Sequence, residues 1–422
     1  MKRKNLGYRW IIFGVLAIAY FFVYFHRVST AIVAPELIKE FAISGSLLGI
    51  LASAYFYPYT MMQIPVGLLS DSLGPRKTVT IFLIIASVGA VLFGLATRIE
   101  MAIFARILVG LGVSAIFVPT LKILAEWFKT REFATTTGIL MGIGGAGWLS
   151  ASAPLAFLTN WLGWRFAFIV IGTITLILSI LIWILVIDNP QKIGLPKITE
   201  HSSSKDQIKT FQGVKTVLCE KYFWPLAGWF FFTYGSVMGF GGLWGGPYFI
   251  EIYKLSKVHT GDILMMISIG LLVGSPFFGW LSDKILGSRK PILIVGTACF
   301  CLVWLCFYIW PDSLPSIALY ILSFSIGFFG CATCIVTFAA NKELFPTSIA
   351  GTSTGIVNLF PFAGGAVFPP IMGYIMDKFG KINGVYPVEA YKNIFLVCFI
   401  ASCLALLGIC FMKETLKSPV RK

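Results

Sequence analysis

The chain has 422 residues, of which 57% are apolar and only 12% charged, with a mean hydropathy of +0.86. Soluble domains carry roughly 25% charged residues, so these charges cannot cover a water-facing surface and a soluble fold is excluded. The formal net charge of +15 would suit nucleic acid, but the basic residues sit in loops between apolar runs, a pattern of membrane topology and not of a nucleic-acid surface.

The apolar runs are about 20 residues long, enough for a helix to cross a hydrocarbon core of roughly 30 Å. They are continuous rather than alternating, which excludes a β-barrel. Met1–Lys4 is basic, yet the apolar run behind it is too long for a signal peptide and has no small-residue cleavage site; it reads as the first span. Twelve spans are predicted near 10–34, 46–69, 78–97, 101–126, 134–159, 165–187, 223–249, 261–282, 291–310, 314–340, 350–376 and 391–412. An even count puts both termini on one side. Lys and Arg are concentrated at both termini and on the loops of that side, which predicts cytoplasmic termini in a cell membrane.

In span one, Tyr20, Tyr24 and Arg27 fall at i, i+4 and i+7, so one helix face presents two phenols and a guanidinium. An Arg near mid-membrane costs about 2.5–3.5 kcal/mol on insertion scales, and its planar fork suits a carboxylate or phosphate. Arg27 is therefore the leading substrate contact. His26 is its neighbour, turned away by about one residue's rotation, and is the mid-membrane group suited to titrate near neutral pH; it is the candidate for proton coupling. Tyr55, Tyr59 and Gln63 in span two share one helix face and are candidates to line the same cavity.

A charged loop follows, Gly67–Lys77, GLLSDSLGPRK. In span four, Arg106 is a second candidate for substrate contact, and Lys122 and Glu126, at i and i+4, are expected to pair. Span five carries the glycine-rich run Gly138 to Gly147. Residues 188–221, Ser- and Lys-rich, read as a cytoplasmic linker between a half spanning 1–187 and a half spanning 222–422. In the second half, Tyr234, Trp244 and Asn358 are substrate-site candidates. Cys331-x-x-Cys334 lies within an apolar run with no further Cys or His pair, so it reads as packing, and neither metal nor cofactor is expected.

The charged loop returns 212 residues later as Gly279–Lys290, GWLSDKILGSRK. Pro35 and Pro247 match at the same offset, and Glu126–Ile139 matches Glu343–Ile356. The chain is thus a duplication. Each copy has an even number of spans, so the copies enter the membrane in the same orientation, related by a pseudo-two-fold axis along the membrane normal.

The two loops carry a resemblance. The pattern G-x-x-x-D-x-x-G-x-R-[RK] is met by Gly67, Asp71, Gly74, Arg76 and Lys77, and again, with one inserted residue, by Gly279, Asp283, Gly287, Arg289 and Lys290. Arg106, Gly110 and Gly112 meet R-x-x-x-G-x-G. On these motifs the chain resembles the major facilitator superfamily over essentially its whole length. The resemblance implies an all-α polytopic fold of twelve transmembrane helices in two six-helix halves, and a secondary transporter working by alternating access, with the loops as gate elements. Asp71 is expected to pair with the loop's own cations or a neighbouring helix end. Span five lacks the Pro of the antiporter pattern G-P-x-x-G-G, which argues against obligatory drug/proton antiport.

Arg27 resembles the span-one arginine of organophosphate and sugar-phosphate permeases, the branch nearest this chain. Those proteins add a basic residue from span seven, where the repeat places Gly239 here. A monoanionic carboxylate or a zwitterion therefore fits the charge count better than a dianion, with carboxylates, amino acids or peptides and sugar phosphates as the substrate classes. Acidic residues such as Glu36, Glu40, Asp71, Glu126, Asp283, Glu343 and Asp377 lie at span ends, so symport, exchange and uniport all stay open, with the proton as the coupling-ion candidate. The expectation is a monomer in lipid with a small-molecule substrate. No P-loop and no nucleophile–base pair is present, which argues against ATP-driven pumping and against an enzyme. The alternative from another class is a transporter-fold sensor that binds solute without moving it.

Overall fold

The computed structural model describes residues 2–194, 210–346 and 349–416. Residues 195–209 of the expected linker, and the basic Lys417, Arg421 and Lys422 of the C-terminus, lie outside the described residues. Among those described, regular structure is helical, with a single β-bridge between Ile382 and Val385.

The first pass is α1 (Lys2–Val28) with α2 (Thr30–Phe41), parted at Ser29. The second comes in three pieces, α3 (Gly45–Ser53), α4 (Phe56–Met61) and α5 (Gln63–Ser72). The third is α6 (Pro75–Leu95), the fourth α7 (Ile99–Ser114) with α8 (Phe117–Trp127), the fifth α9 (Thr130–Ser150) with α10 (Ala153–Leu162), and the sixth α11 (Trp164–Leu185). A short α12 (Thr210–Cys219) precedes the second set. That set comprises α13 (Phe223–Gly239) with α14 (Gly245–Glu251), α15 (Lys257–Trp280), α16 (Lys290–Ile309), α17 (Ser316–Ser325) with α18 (Cys334–Leu344), α19 (Ala350–Val357) with α20 (Leu359–Phe379), and α21 (Val388–Cys410).

Among the described residues nine helices are long and apolar enough to cross a membrane, and the α9–α10 pair, bent by 44°, makes a tenth. The other two predicted spans are the segmented passes α3–α5 and α13–α14. Prolines explain most breaks, because a proline has no N–H and its ring clashes with the preceding turn. Pro154 opens α10, and Pro65 sits in the first turn of α5. Between α13 and α14 the cause is Gly241-Gly242, where the chain widens into a π-helical turn over Phe240–Trp244. The two copies of the charged loop share one backbone device. Gly74 has φ +89° and Gly287 has φ +56°, a left-handed region glycine enters without steric cost, and α6 and α16 start just beyond them.

Packing divides the chain into two bodies. The first holds Met1–Val33 and Ala54–Ser203, the second Ala34–Ser53 and Ser204–Lys422. The segment Ala34–Ser53 thus lies with the second body, although by chain order it falls within residues 1–187. In the first body α6 packs on α7 and α11, and α1 on α9. Small residues set the spacing: a Cβ on Gly89 would stand 2.7 Å from Val109 N, and one on Gly112 2.5 Å from Phe82 O. Such backbone approach is how helices associate where the hydrophobic effect is absent. In the second body α13 packs on α20 and α21, α16 on α21, and α3 on α20. Its core is aromatic, with Phe240, Tyr248, Trp304, Phe307 and Phe395 in mutual ring contact.

Candidate functional site

The first body gathers the predicted site residues of spans one, two and four. The Arg27 guanidinium lies over the Tyr24 ring at 4.4 Å and the Tyr59 ring at 5.5 Å. Tyr55 and Tyr59, one turn apart, stack with ring centroids 5.8 Å apart. The Tyr55 hydroxyl donates to the Val23 carbonyl at 3.1 Å and accepts from Arg27. The Arg106 guanidinium lies 5.1 Å from the Tyr55 ring. Tyr55 therefore meets two guanidiniums that come from different helices, Arg27 at its hydroxyl and Arg106 at its ring. The Arg106 contact gains cation–π attraction, worth up to about 2 kcal/mol when desolvated.

Arg106 is 1% exposed. One of its nitrogens, Nη1, donates to the His26 carbonyl at 3.0 Å. Its Nε and Nη2 are buried with no hydrogen-bond partner among the described residues, and no carboxylate there pairs with it. A buried guanidinium with unfilled donors is costly, and a bound anion would relieve that cost. The His26 ring is wholly buried, packs against Phe22 and Phe25, and has no partner on either nitrogen among the described residues.

Tyr20 extends the cluster. Its ring stacks on Phe117 at 5.1 Å and meets Tyr24 edge-on at 5.4 Å, and its hydroxyl donates to Met141 Sδ at 3.4 Å. Phe117, Met141 and Gly144 were not foreseen from sequence. A Cβ on Gly144 would stand 2.9 Å from Tyr20 and 3.0 Å from Tyr24, so this glycine of the span-five run makes room for both phenols. The only advance signal was the glycine density itself. Gly110 does similar work in span four, where a Cβ would stand 2.8 Å from the Tyr55 Cα. Gln63 is half-buried, and its amide donates back to Tyr59 O at 3.3 Å.

The second-half residues are placed differently. Trp244 is fully buried inside the second body, its indole donating to Pro369 O at 3.5 Å and its ring meeting Tyr386; in this structure it packs. Gly239 faces α20, where a Cβ would stand 2.6 Å from Met372 Sδ. Tyr234 in α13 is half-buried, and Asn358 sits half-buried at the break between α19 and α20.

The charged loops differ in wiring. In the first, Lys122 pairs with Asp71 and also donates to Gly67 O at 3.3 Å, which corrects the expected Lys122–Glu126 pair. Two acceptors on the last turns of α5 converge on this ammonium, against one offered within its own helix. Asp71 thus bonds a cation of α8 instead of its own loop. Arg76 joins the end of α11, its backbone N–H donating to Asp188 at 2.8 Å and its side chain to Trp183 O. Lys77 is exposed. In the second loop Arg289 pairs with Asp283 at 2.5 Å and with Glu343 at 2.7 Å. The Glu414 carboxylate accepts from Arg289 N at 2.9 Å and Lys290 N at 3.0 Å.

Comparison with known proteins accords with this architecture. The profile of the Major Facilitator Superfamily matches residues 16–260 and 231–422. A probable hexose phosphate transport protein of Chlamydia trachomatis is 26% identical over 433 residues, covering 95% of this chain and 92% of its own length. A probable sulfoacetate transporter, SauU, of Cupriavidus necator is 26% identical over 395 residues, covering 90% of each chain. Among solved structures, a bacterial homologue of the human lysosomal transporter Spinster, inward-facing and unoccupied, superposes with a TM-score of 0.76. It covers 96% of this chain and 98% of that one at 14% identity, a likeness of fold alone.

Proposed function

Because the chain belongs to the Major Facilitator Superfamily, and is therefore a multi-pass membrane transporter and not an enzyme, we propose that it carries a small organic anion held by Arg27 and Arg106. The observation that carries this reading is Arg106, buried beside Tyr55 with two nitrogens unfilled, while Arg27 bonds the hydroxyl of the same tyrosine. Two permanent charges buried among apolar helices are an anion site in waiting. Relatives named for hexose phosphate and sulfoacetate support the same class. Phosphate esters, carboxylates, sulfonates and zwitterionic amino acids are the solutes to try.

Tyr20, Tyr24, Tyr55 and Tyr59 wall the site and offer hydroxyls, and Gln63, Tyr234 and Asn358 are further contacts to test. In the working scheme, six-helix halves of residues 1–187 and 222–422 alternate access about the linker 188–221. The charged loops Gly67–Lys77 and Gly279–Lys290 act as gate elements on the side of the termini. The Lys and Arg excess on that side supports cytoplasmic termini, and the monomer is the working unit. Symport, exchange and uniport are separated by the pH dependence of uptake, with His26 as the group to substitute.

The decisive experiment measures thermal stabilisation of the purified protein by the solute panel, followed by uptake into reconstituted vesicles. Anions are expected to stabilise the wild type and to fail with Arg27→Ala. Stabilisation by neutral solutes alone, or undiminished uptake by Arg27→Ala, would overturn the anion site. Stabilisation without flux would make the protein a sensor.

A further inference from the structure

The segment Ala34–Ser53 leaves the first body at Val33 and rejoins it at Ala54, yet it packs into the second. The contact is built at the start of α3. Asp377, near the end of α20, accepts from Gly45 N at 2.6 Å and from Ser46 N at 2.8 Å. The first N–H groups of a helix have no acceptor within it, and the positive end of its dipole favours a carboxylate. Asp377 Oδ1 also accepts from the Tyr386 hydroxyl at 3.1 Å. The Tyr386 backbone N–H is in turn held by Glu251 at 3.1 Å, and the same carboxylate oxygen takes the Tyr391 hydroxyl at 2.7 Å. A continuous polar chain thus runs from α3 through α20 to α14 and α21.

The backbones beneath this cap touch. A Cβ on Gly49 would stand 2.7 Å from Pro370 Cα, and one on Gly373 2.9 Å from Ser46 Cα. Gly45-x-x-x-Gly49 therefore lies backbone to backbone on Pro369-Pro370-x-x-Gly373. A second tie, the ion pair of Glu36 with Lys257, joins the middle of α2 to the start of α15.

We propose that Asp377 is the latch of the gate at the end of the molecule away from the charged loops, releasing α3 once in each transport cycle. The design suits repeated opening. Every bond at the cap is polar and can be exchanged for a bond to water on either partner. The glycine-lined contact brings backbone against backbone at Gly49 and Gly373, so few side-chain rotamers are held there. Ala34–Ser53 is continuous in chain with the first body at Val33 and Ala54 while these bonds hold it in the second, so their release is the step that frees it from the second body. The inference rests on the transporter assignment and is independent of Arg27, which Asp377 variants leave untouched.

Two experiments on the full-length protein test it. Backbone amide exchange is expected to rise about tenfold across 45–53 in Asp377→Asn, the loss of one charge-assisted contact, and less in Tyr386→Phe. Exchange in α6 and α11 should stay as in the wild type. Unchanged exchange at 45–53, or an equal rise in α6 and α11, would overturn the latch. In the second experiment Glu36→Cys and Lys257→Cys are joined by a short, reducible bis-thiosulfonate linker, with each single variant as control. Uptake should stop on linking and return on reduction. Undiminished uptake by the linked protein would show that this end need not open. Ligand-induced stabilisation persists in Asp377→Asn if the anion site is right, so failure of the latch and failure of the site are distinguishable.

Discussion

Arg106 donates from Nη1 to the backbone carbonyl of His26 at 3.0 Å, so a guanidinium of α7 is anchored to α1 one residue from Arg27. Its anchor and its open donors are separate atoms, and substitutions should separate their roles. Arg106→Lys keeps the charge and loses the fork, and is expected to weaken substrate binding about tenfold to a hundredfold. Arg106→Ala also removes the anchor, and is expected to lower the melting temperature as well. Titrating substrate against thermal stability in both variants checks this; equal melting temperatures would show that the His26 contact carries no stability.

Arg27→Ala is expected to reduce uptake by about a hundredfold or more, because two charge-assisted hydrogen bonds are worth roughly 1.5–3 kcal/mol each. Arg27→Lys should recover part of the loss as a point charge without the planar match. Initial uptake rates at matched expression decide it, and full activity of Arg27→Ala would refute the assignment.

The glycines of spans four and five predict a contrast within one residue type. Gly110→Ala drives a methyl against the Tyr55 backbone, and Gly144→Val drives one against Tyr20 and Tyr24. Overpacking of this kind costs about 1–3 kcal/mol. Gly138 and Gly142 meet nothing within 4 Å, and Ala there gains up to about 1 kcal/mol of helix propensity. Thermal unfolding should fall for the first pair and hold or rise for Gly138→Ala and Gly142→Ala. Destabilisation by the second pair would contradict this packing.

Features that repeat or recur with a helical period were legible in the sequence. The duplicated loops announced the two glycine turns at Gly74 and Gly287, and the i, i+4 spacing of Tyr55 and Tyr59 announced their stack. Arg27 beside Tyr24 follows from adjacent turns of one helix. The meeting of Tyr55 with both Arg27 and Arg106 did not show, because it joins three helices, and periodicity names a face without naming its neighbour. Trp244 is buried in the second body for a related reason. It closes the π-helical turn at Gly241-Gly242, which shifts the helical register and leaves the indole in the core. The packing of Ala34–Ser53 with α20 runs against chain order, so no reading by consecutive spans could find it. Lys122 chose Asp71 over Glu126 because tertiary acceptors outnumbered the local one.

His26 offers a sharp test of proton coupling. Its ring is 0% exposed and lies against Phe22 and Phe25 with no hydrogen-bond partner among the described residues, a setting that favours packing over proton exchange. The expected result is that His26→Gln leaves the pH profile of uptake unaltered while modestly lowering thermal stability. A flattened profile in the variant would instead establish His26 as the coupling group.

Glu414 gives a pH dependence outside the membrane. Its partial burial opposes ionisation, but hydrogen bonds from Ser288, Arg289 N, Lys290 N and Leu416 N outweigh this and hold its carboxyl below the usual glutamate range. A depressed folded-state pKa means that the ionised form stabilises the fold above the unfolded value of about 4.3, and that this contribution is lost as pH falls through the depressed value. Wild type should therefore melt higher than Glu414→Gln at pH 7. The gap should narrow as pH drops below about 4, because the protonated acid and the amide then bind the loop about equally. Melting curves of the two proteins in the same detergent, taken from pH 7 down to about pH 3, measure it. A gap that stays constant over that range would mean that the Glu414 side chain acts by packing, and that its charge does not hold the second loop.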